Sequence, residues 1–164
     1  MKIVEYEDKY LEDVRDLLVE LEEYLVSIDE DHLDQVGADY REKMALIDLE
    51  ELKENEGKCF LAIEDDKAIG LIMGLVVKYD EVDYLDYKCP RKGRITELIV
   101  TKKTRSKGVG KELIKTMEDY LKSIGCEYIS IEVFAYNKHA IDFYTKGNYH
   151  TRCIDMIKKV WIWN

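Results

Sequence analysis

The chain is poor in several features, and each shortage excludes something. It has one proline, Pro90, in 164 residues, so no Pro-rich linker or polyproline ligand divides it. No apolar run approaches the roughly 18–20 residues that a membrane helix needs. The three histidines, His32, His139 and His150, form no cluster, and each reads as a surface or satisfied side chain. Four cysteines, Cys59, Cys89, Cys126 and Cys153, stand far apart, without a CxxC pair or a Cys/His metal spacing. They read as reduced thiols, and no metal site is expected. Basic residues are outnumbered, with 25 Lys and Arg against 35 Asp and Glu and a net charge of −10. That balance argues against a general nucleic-acid binder. The start, Met1-Lys-Ile-Val-Glu-Tyr, runs directly into a strand-like stretch without a targeting segment, so a cytoplasmic location is expected. With no linker, repeat or low-complexity tract, one domain over residues 1–164 is expected.

What is present is apolar periodicity. Lys2 to Tyr6 reads as a strand, and Lys9 to Ser27 as a helix with Leu11, Val14, Leu17, Leu18, Leu21 and Leu25 at helical spacing. A second helix is expected from Asp39 to Glu54, stopping at Gly57. Lys58–Glu64 and Ala68–Lys78 read as a hairpin turning at Asp65-Asp66-Lys67. Residues 79–92 read as a polar, tyrosine-containing connection. Arg94–Thr101 reads as a strand, Gly108–Ser123 as an amphipathic helix ended by Gly125, and Tyr128–Phe134 as an alternating strand. Asn137–Lys146 reads as a short helix closed by Gly147, and Tyr149–Trp163 as mostly strand with a bend near Asp155. The order βααβββαβαβ describes an α/β (α+β) chain with a mixed central sheet flanked by helices.

Charge is unevenly placed. The first third is acidic, whereas Lys102, Lys103, Arg105, Lys107, Lys111 and Lys115 gather within one short segment against Glu112 alone. A basic patch on an acidic protein points to a specific anionic ligand. Arg105-Ser-Lys-Gly-Val-Gly110 lies inside that patch, between an apolar strand and an amphipathic helix. The first turn of a helix has unpaired N–H groups and partial positive charge. Glycine lets phosphate oxygens approach those groups without a Cβ in the way. The loop lacks the GxxxxGK[ST] spacing of a P-loop and the third glycine of a Rossmann fingerprint.

These residues resemble the GNAT family of N-acetyltransferases. Arg105, Gly108 and Gly110 match the signature Gln/Arg-x-x-Gly-x-Gly/Ala, and Asn137-Lys-His-Ala-Ile-Asp-Phe-Tyr-Thr-Lys-Gly147 is similar to the second signature, Asn-x-x-Ala-x-x-Phe-Tyr-x-x-x-Gly. The chain departs from the pattern at Lys102, where many members have proline, and little effect is expected from that.

The resemblance implies acetyl-CoA as co-substrate. Backbone groups of Leu98, Ile99 and Val100 would pair with its pantetheine arm, and Arg105, Ser106, Lys107, Gly108, Val109, Gly110 and Lys111 would cradle its pyrophosphate. Asn137 would bind the cofactor arm, and Tyr144 would sit near the sulfur and act as general acid. Glu97, the one carboxylate on the central strand, is the candidate base, with Glu132 as its rival. Asp29, Glu30, Asp31 and Asp34, with Tyr79, Asp80, Glu81, Asp83, Tyr84, Asp86 and Tyr87, make the two acceptor-shaping regions acidic and aromatic. Such a surface suits a small amine with several positive charges. Protein N-terminal or lysine acetylation, and a CoA-binding regulatory module, are the alternatives. Trp161 and Trp163 share one strand face and read as core packing or a homodimer contact.

Overall fold

The computed structural model describes residues 1–105 and 107–160. The chain forms two compact units, one from Met1 to Glu132 and a second from Val133 onward.

The first unit is built on a five-stranded sheet in the order β1 (Lys2–Glu5), β2 (Lys58–Glu64), β3 (Lys67–Val76), β4 (Lys92–Val100), β5 (Tyr128–Ile131). The first three pairings are antiparallel and β4–β5 is parallel, so the sheet is mixed. The β2–β3 hairpin turns on Asp65 and Asp66, both in left-handed backbone (φ 49° and 58°), as a two-residue hairpin loop requires.

Two helices cover one sheet face. Helix α1 (Leu11–Ile28) follows a short 3-10 turn, and α2 (Tyr40–Glu54) follows a loop. Val14, Leu17 and Leu18 of α1 and Ala45 and Leu52 of α2 join Leu61, Leu71, Met73, Leu75 and Ile99 of the sheet in one buried cluster. Each large apolar side chain sealed there contributes about 1.5–3 kcal/mol.

Helix α4 (Val109–Ser123) covers the opposite face, its Leu113, Met117 and Leu121 repeating every four residues. It lies very close to the sheet because its path crosses glycines. A Cβ on Gly74 would come 2.7 Å from Met117 Sδ, and one on Gly93 would come 2.6 Å from Leu121 Cδ1. The helix ends at Gly125 in left-handed backbone (φ 88°).

Three expectations need correction. The connection at 79–92 contains a short helix, α3 (Asp83–Asp86), too brief to leave a periodic signature. Strand β5 ends at Ile131 rather than Phe134, because its ladder with β4 covers only Lys92–Ile95. Residues 149–160 form no strand, and Ile154, Met156, Ile157 and Val160 are exposed. Alternation gives a segment two faces but cannot supply a hydrogen-bonding partner. Trp161 and Trp163 lie outside the described residues.

In the second unit, α5 (Lys138–Lys146) is capped by Asn137, whose side-chain oxygen accepts from Ala140 N at 3.1 Å. Gly147 ends it, its N–H donating back to Phe143 and Tyr144 carbonyls, and Asn148 takes the left-handed conformation (φ 66°).

Candidate active site

The site starts from an irregularity in β4. Glu97 pairs with Met73 of β3, while Ile95 pairs with Gly74, so Thr96 is an extra residue on β4. An extra residue reverses which side chains point to which face. Gly93 and Ile95 lie on the α4 side with Gly74, whereas Glu97 and Ile99 lie on the α1/α2 side with Met73 and Leu71. The bulge therefore turns Glu97 into the helix-covered apolar face.

Past the bulge, β4 also has an open edge. The β5 ladder stops at Ile95, so within this unit no described strand pairs with Thr96–Val100 on that side. The Thr101 N–H donates to Ile69 O at 2.9 Å. From that bond, antiparallel alternation turns the N–H and C=O of Ile99 toward β3 and those of Leu98 and Val100 toward the open edge. Of the three residues expected to grip an extended ligand, Leu98 and Val100 present their backbone groups outward.

The edge runs into a tight exit. A 3-10 turn, Lys102–Thr104, buries Thr104. Arg105 folds back so that its Nε–H donates to Val100 O at 3.1 Å, and its guanidinium lies 5.5 Å from the Tyr24 ring centroid. Ser106 lies outside the described residues. Gly108 is the N-cap of α4 in left-handed backbone (φ 82°), and a Cβ there would meet nothing within 4 Å. No described side chain caps the helix, so among the described residues the Val109 and Gly110 N–H groups keep outward donors, while the Lys111 N–H donates to Gly108 O at 3.0 Å. Lys107 and Lys111 flank them, exposed, while Val109 turns its side chain into the core.

On the α1/α2 side, three carboxylates and a phenol converge. Glu22 follows Val14 and Leu18 along the buried stripe of α1, and Asp48 lies between Ala45 and Leu52 on the buried stripe of α2. The Tyr40 hydroxyl donates to Glu22 Oε2 at 3.4 Å, and Asp48 Oδ2 is buried without a hydrogen-bond partner. Burial first, then the charges of Asp48 and Glu22, push the Glu97 carboxyl up to about 8. Burial, then Glu51, raises Asp48 to about 6. Glu22 is raised by burial and Asp34, and Tyr40 by burial and the surrounding carboxylates. Glu22, Tyr40 and Asp48 escape a sequence reading because each looks like an ordinary polar helix position. Their one signal is that 14/18/22 and 45/48/52 continue the apolar spacing.

The acidic loops singled out in the sequence are used differently. Asp29 is buried and its carboxylate accepts from the N–H groups of Asp31, Leu33 and Asp34, at 2.9, 2.6 and 2.9 Å. It ends α1 and organises the loop. Asp80 likewise accepts from Val82 and Asp83 N–H groups to start α3. Tyr79 packs against Tyr84 and Tyr87, and the chain's own Lys92 sits 5.7 Å from the Tyr79 and Tyr87 rings. Glu132 is exposed and lies just beyond β5, not within it.

In the second unit, Asn137 and Tyr144 stand two turns apart on α5. Tyr144 is buried, edge-on to Phe143 at 5.2 Å and to Tyr149 at 5.6 Å.

The open strand edge thus leads into a glycine-started helix that no described side chain caps, two sets of backbone groups suited to an extended chain and to an anion. The chain belongs to the acetyltransferase (GNAT) family, whose model matches residues 13–148. An uncharacterized N-acetyltransferase of Methanocaldococcus jannaschii is 34% identical over 96 residues, which is 57% of this chain and 54% of that protein. The match thus spans about half the length of that relative. The fold is shared with a mutant of a Bacillus halodurans protein, at TM-score 0.83 and 15% identity over 98% of this chain and 100% of that one. It is also shared with an aminoglycoside N-acetyltransferase solved with CoA, at TM-score 0.65 and 20% identity over 97% and 100% of the two chains.

Proposed function

We propose that this chain transfers the acetyl group of acetyl-CoA to a primary amine by direct attack in a ternary complex, and that the acceptor is a small cationic amine. The observation that carries the reading is the outward-facing backbone of Leu98 and Val100 leading into a start of α4 that no described side chain caps. Pantetheine is an extended amide chain and suits the first, and a pyrophosphate suits the second. CoA bound to the aminoglycoside N-acetyltransferase of the same fold supports the donor.

In this reading Glu97 takes a proton from the substrate ammonium. An alkylammonium has a pKa of about 10.4 and an ordinary carboxylic acid about 4.3, a poor match for transfer. A carboxyl held near 8 is much closer. The freed nitrogen lone pair attacks the thioester carbon, and the Val100 N–H donates to the oxyanion that forms. The C–S bond then breaks, the thiolate takes a proton from the Tyr144 phenol, and the new amide nitrogen loses its extra proton to water. Juxtaposing the reactants supplies much of the rate, so no covalent enzyme intermediate is needed. A cation carrying a second ammonium group would also relieve the repulsion among Glu22, Asp48 and Glu97, which favours acceptors with more than one amine.

The test is thiol release from acetyl-CoA across polyamines, aminoglycosides, monoamines and lysine-containing peptides. The expected result is release with di- and polyamines and an acetylated product of matching amount. Release only with peptides would move the acceptor to protein. Tight CoA binding with no release for any acceptor would make the chain a regulatory module.

A further inference from the structure

Helix α1 serves the core with one face and reaches the β4 exit with another. Glu20, half-buried, accepts two hydrogen bonds across the fold, from Thr101 Oγ1 at 2.9 Å and from Lys102 N at 2.9 Å. One turn later on the same helix face, Tyr24 offers its ring to the Arg105 guanidinium at 5.5 Å. Arg105 in turn holds Val100 O at 3.1 Å. The residues that lead out of the open edge are thus tied to two positions of one helix, four residues apart.

We propose that Glu20 and Tyr24 are donor-positioning residues, holding the β4 exit so that the Val100 edge and the start of α4 present their donors to one acetyl-CoA molecule. The inference rests on the reading of the donor site given above and adds a device to it. A carboxylate accepting from a hydroxyl and a backbone N–H is a strong, directional restraint on two successive residues. Its partners, Thr101 at the end of the strand and Lys102 opening the 3-10 turn, lie outside the core cluster, and Glu20 holds them from the α1 side.

Lys102 allows an independent check, because its N–H, which a proline at this position would lack, is the atom Glu20 engages. Lys102 opens the turn, and Thr101 before it is extended (φ −53°, ψ 142°), the conformation a following proline imposes. A proline at this position would fix the turn locally without Glu20. The hydrogen-bonded carboxylate and a proline are therefore alternative ways to set the same backbone.

The experiment begins with calorimetric titration of CoA into the unaltered protein, followed by Glu20→Ala, Glu20→Gln and the double variant Glu20→Ala/Lys102→Pro. Loss of a charge-assisted pair should weaken CoA binding and raise KM for acetyl-CoA by about tenfold. The effect should fall on that KM rather than on kcat or the amine KM. Glu20→Gln, which keeps one accepting oxygen, should recover part of the affinity, and the double variant should recover most of it. Unchanged CoA affinity in Glu20→Ala overturns the proposal. So does a uniform loss in kcat and both KM values that tracks a lower Tm, or a double variant no better than Glu20→Ala. If Glu20→Ala does not fold, Glu20→Gln decides, because equal CoA affinity in a folded Gln variant and a folded Gln/Lys102→Pro variant also overturns it. No CoA binding by the unaltered protein removes the donor reading itself and the inference with it, an outcome distinct from all the others.

Discussion

At Glu97 a carboxyl near 8 links stability and chemistry to the same proton. The folded protein holds that proton more tightly than the unfolded chain, where an ordinary Glu titrates at about 4.3. Between those values the folded state binds more protons, so this residue's contribution to stability falls as pH rises from about 4.3 to about 8. Glu97→Gln should therefore melt several degrees higher than the unaltered protein at pH 8, with the gap closing below about pH 4.3. Melts followed by circular dichroism across pH 4–9 check the sign. As the base, Glu97 must be ionised, so kcat/KM should rise toward an acid limb near pH 8. Glu97→Gln should lose that limb and about 10²–10⁴ in rate. Asp48 raises Glu97 through its negative charge, so Asp48→Asn should move the limb to lower pH. An unmoved limb would separate Asp48 from the titrating group. For Tyr144, steady-state kinetics of Tyr144→Phe on the true acceptor should show a lower kcat, and an unchanged kcat would remove it as the acid.

Among the elements, glycine acts in two physically different ways, and substitution separates them. Gly108 has open space around it, so Gly108→Ala meets only the cost of left-handed backbone, about 1 kcal/mol. That change falls where α4 offers its first N–H groups, so CoA affinity should drop along with Tm. Gly93 has ordinary freedom but no room, since a Cβ there meets Leu121 Cδ1 at 2.6 Å. Gly93→Ala should cost about 1–3 kcal/mol by overpacking, with a smaller effect on CoA affinity than on stability. Thermal melts paired with CoA titrations distinguish the two. The same elements show what a sequence can reveal. Helices α1, α2, α4 and α5 and strands β1–β4 are readable because apolar spacing and glycine or asparagine ends are local. The Arg105–Gly110 loop is readable because it lies in one stretch of chain. The Thr96 bulge is not, because an extra residue exists only relative to the β3 register. Glu22, Tyr40 and Asp48 are not, because only helix packing brings them toward Glu97. The last expected strand fails for the related reason that its alternation names no partner.

Over the whole molecule, an acidic chain with net charge −10 carries a basic patch around one helix start. Attraction between that patch and a polyanion is screened by salt, with a Debye length of about 10 Å at 0.1 M and about 3 Å at 1 M. CoA affinity should accordingly weaken as sodium chloride is raised from about 50 to about 500 mM, which titration calorimetry can follow. CoA present at about 100 times its Kd should stabilise the fold by about 2.7 kcal/mol. Hydrogen exchange with and without CoA locates that stabilisation. CoA should slow exchange at the Leu98 and Val100 amides on the β4 edge and at Gly108–Lys111 in the α4 start, leaving the Asp65–Asp66 turn unchanged. Bound CoA with exchange at those amides unaltered would contradict the proposed donor site.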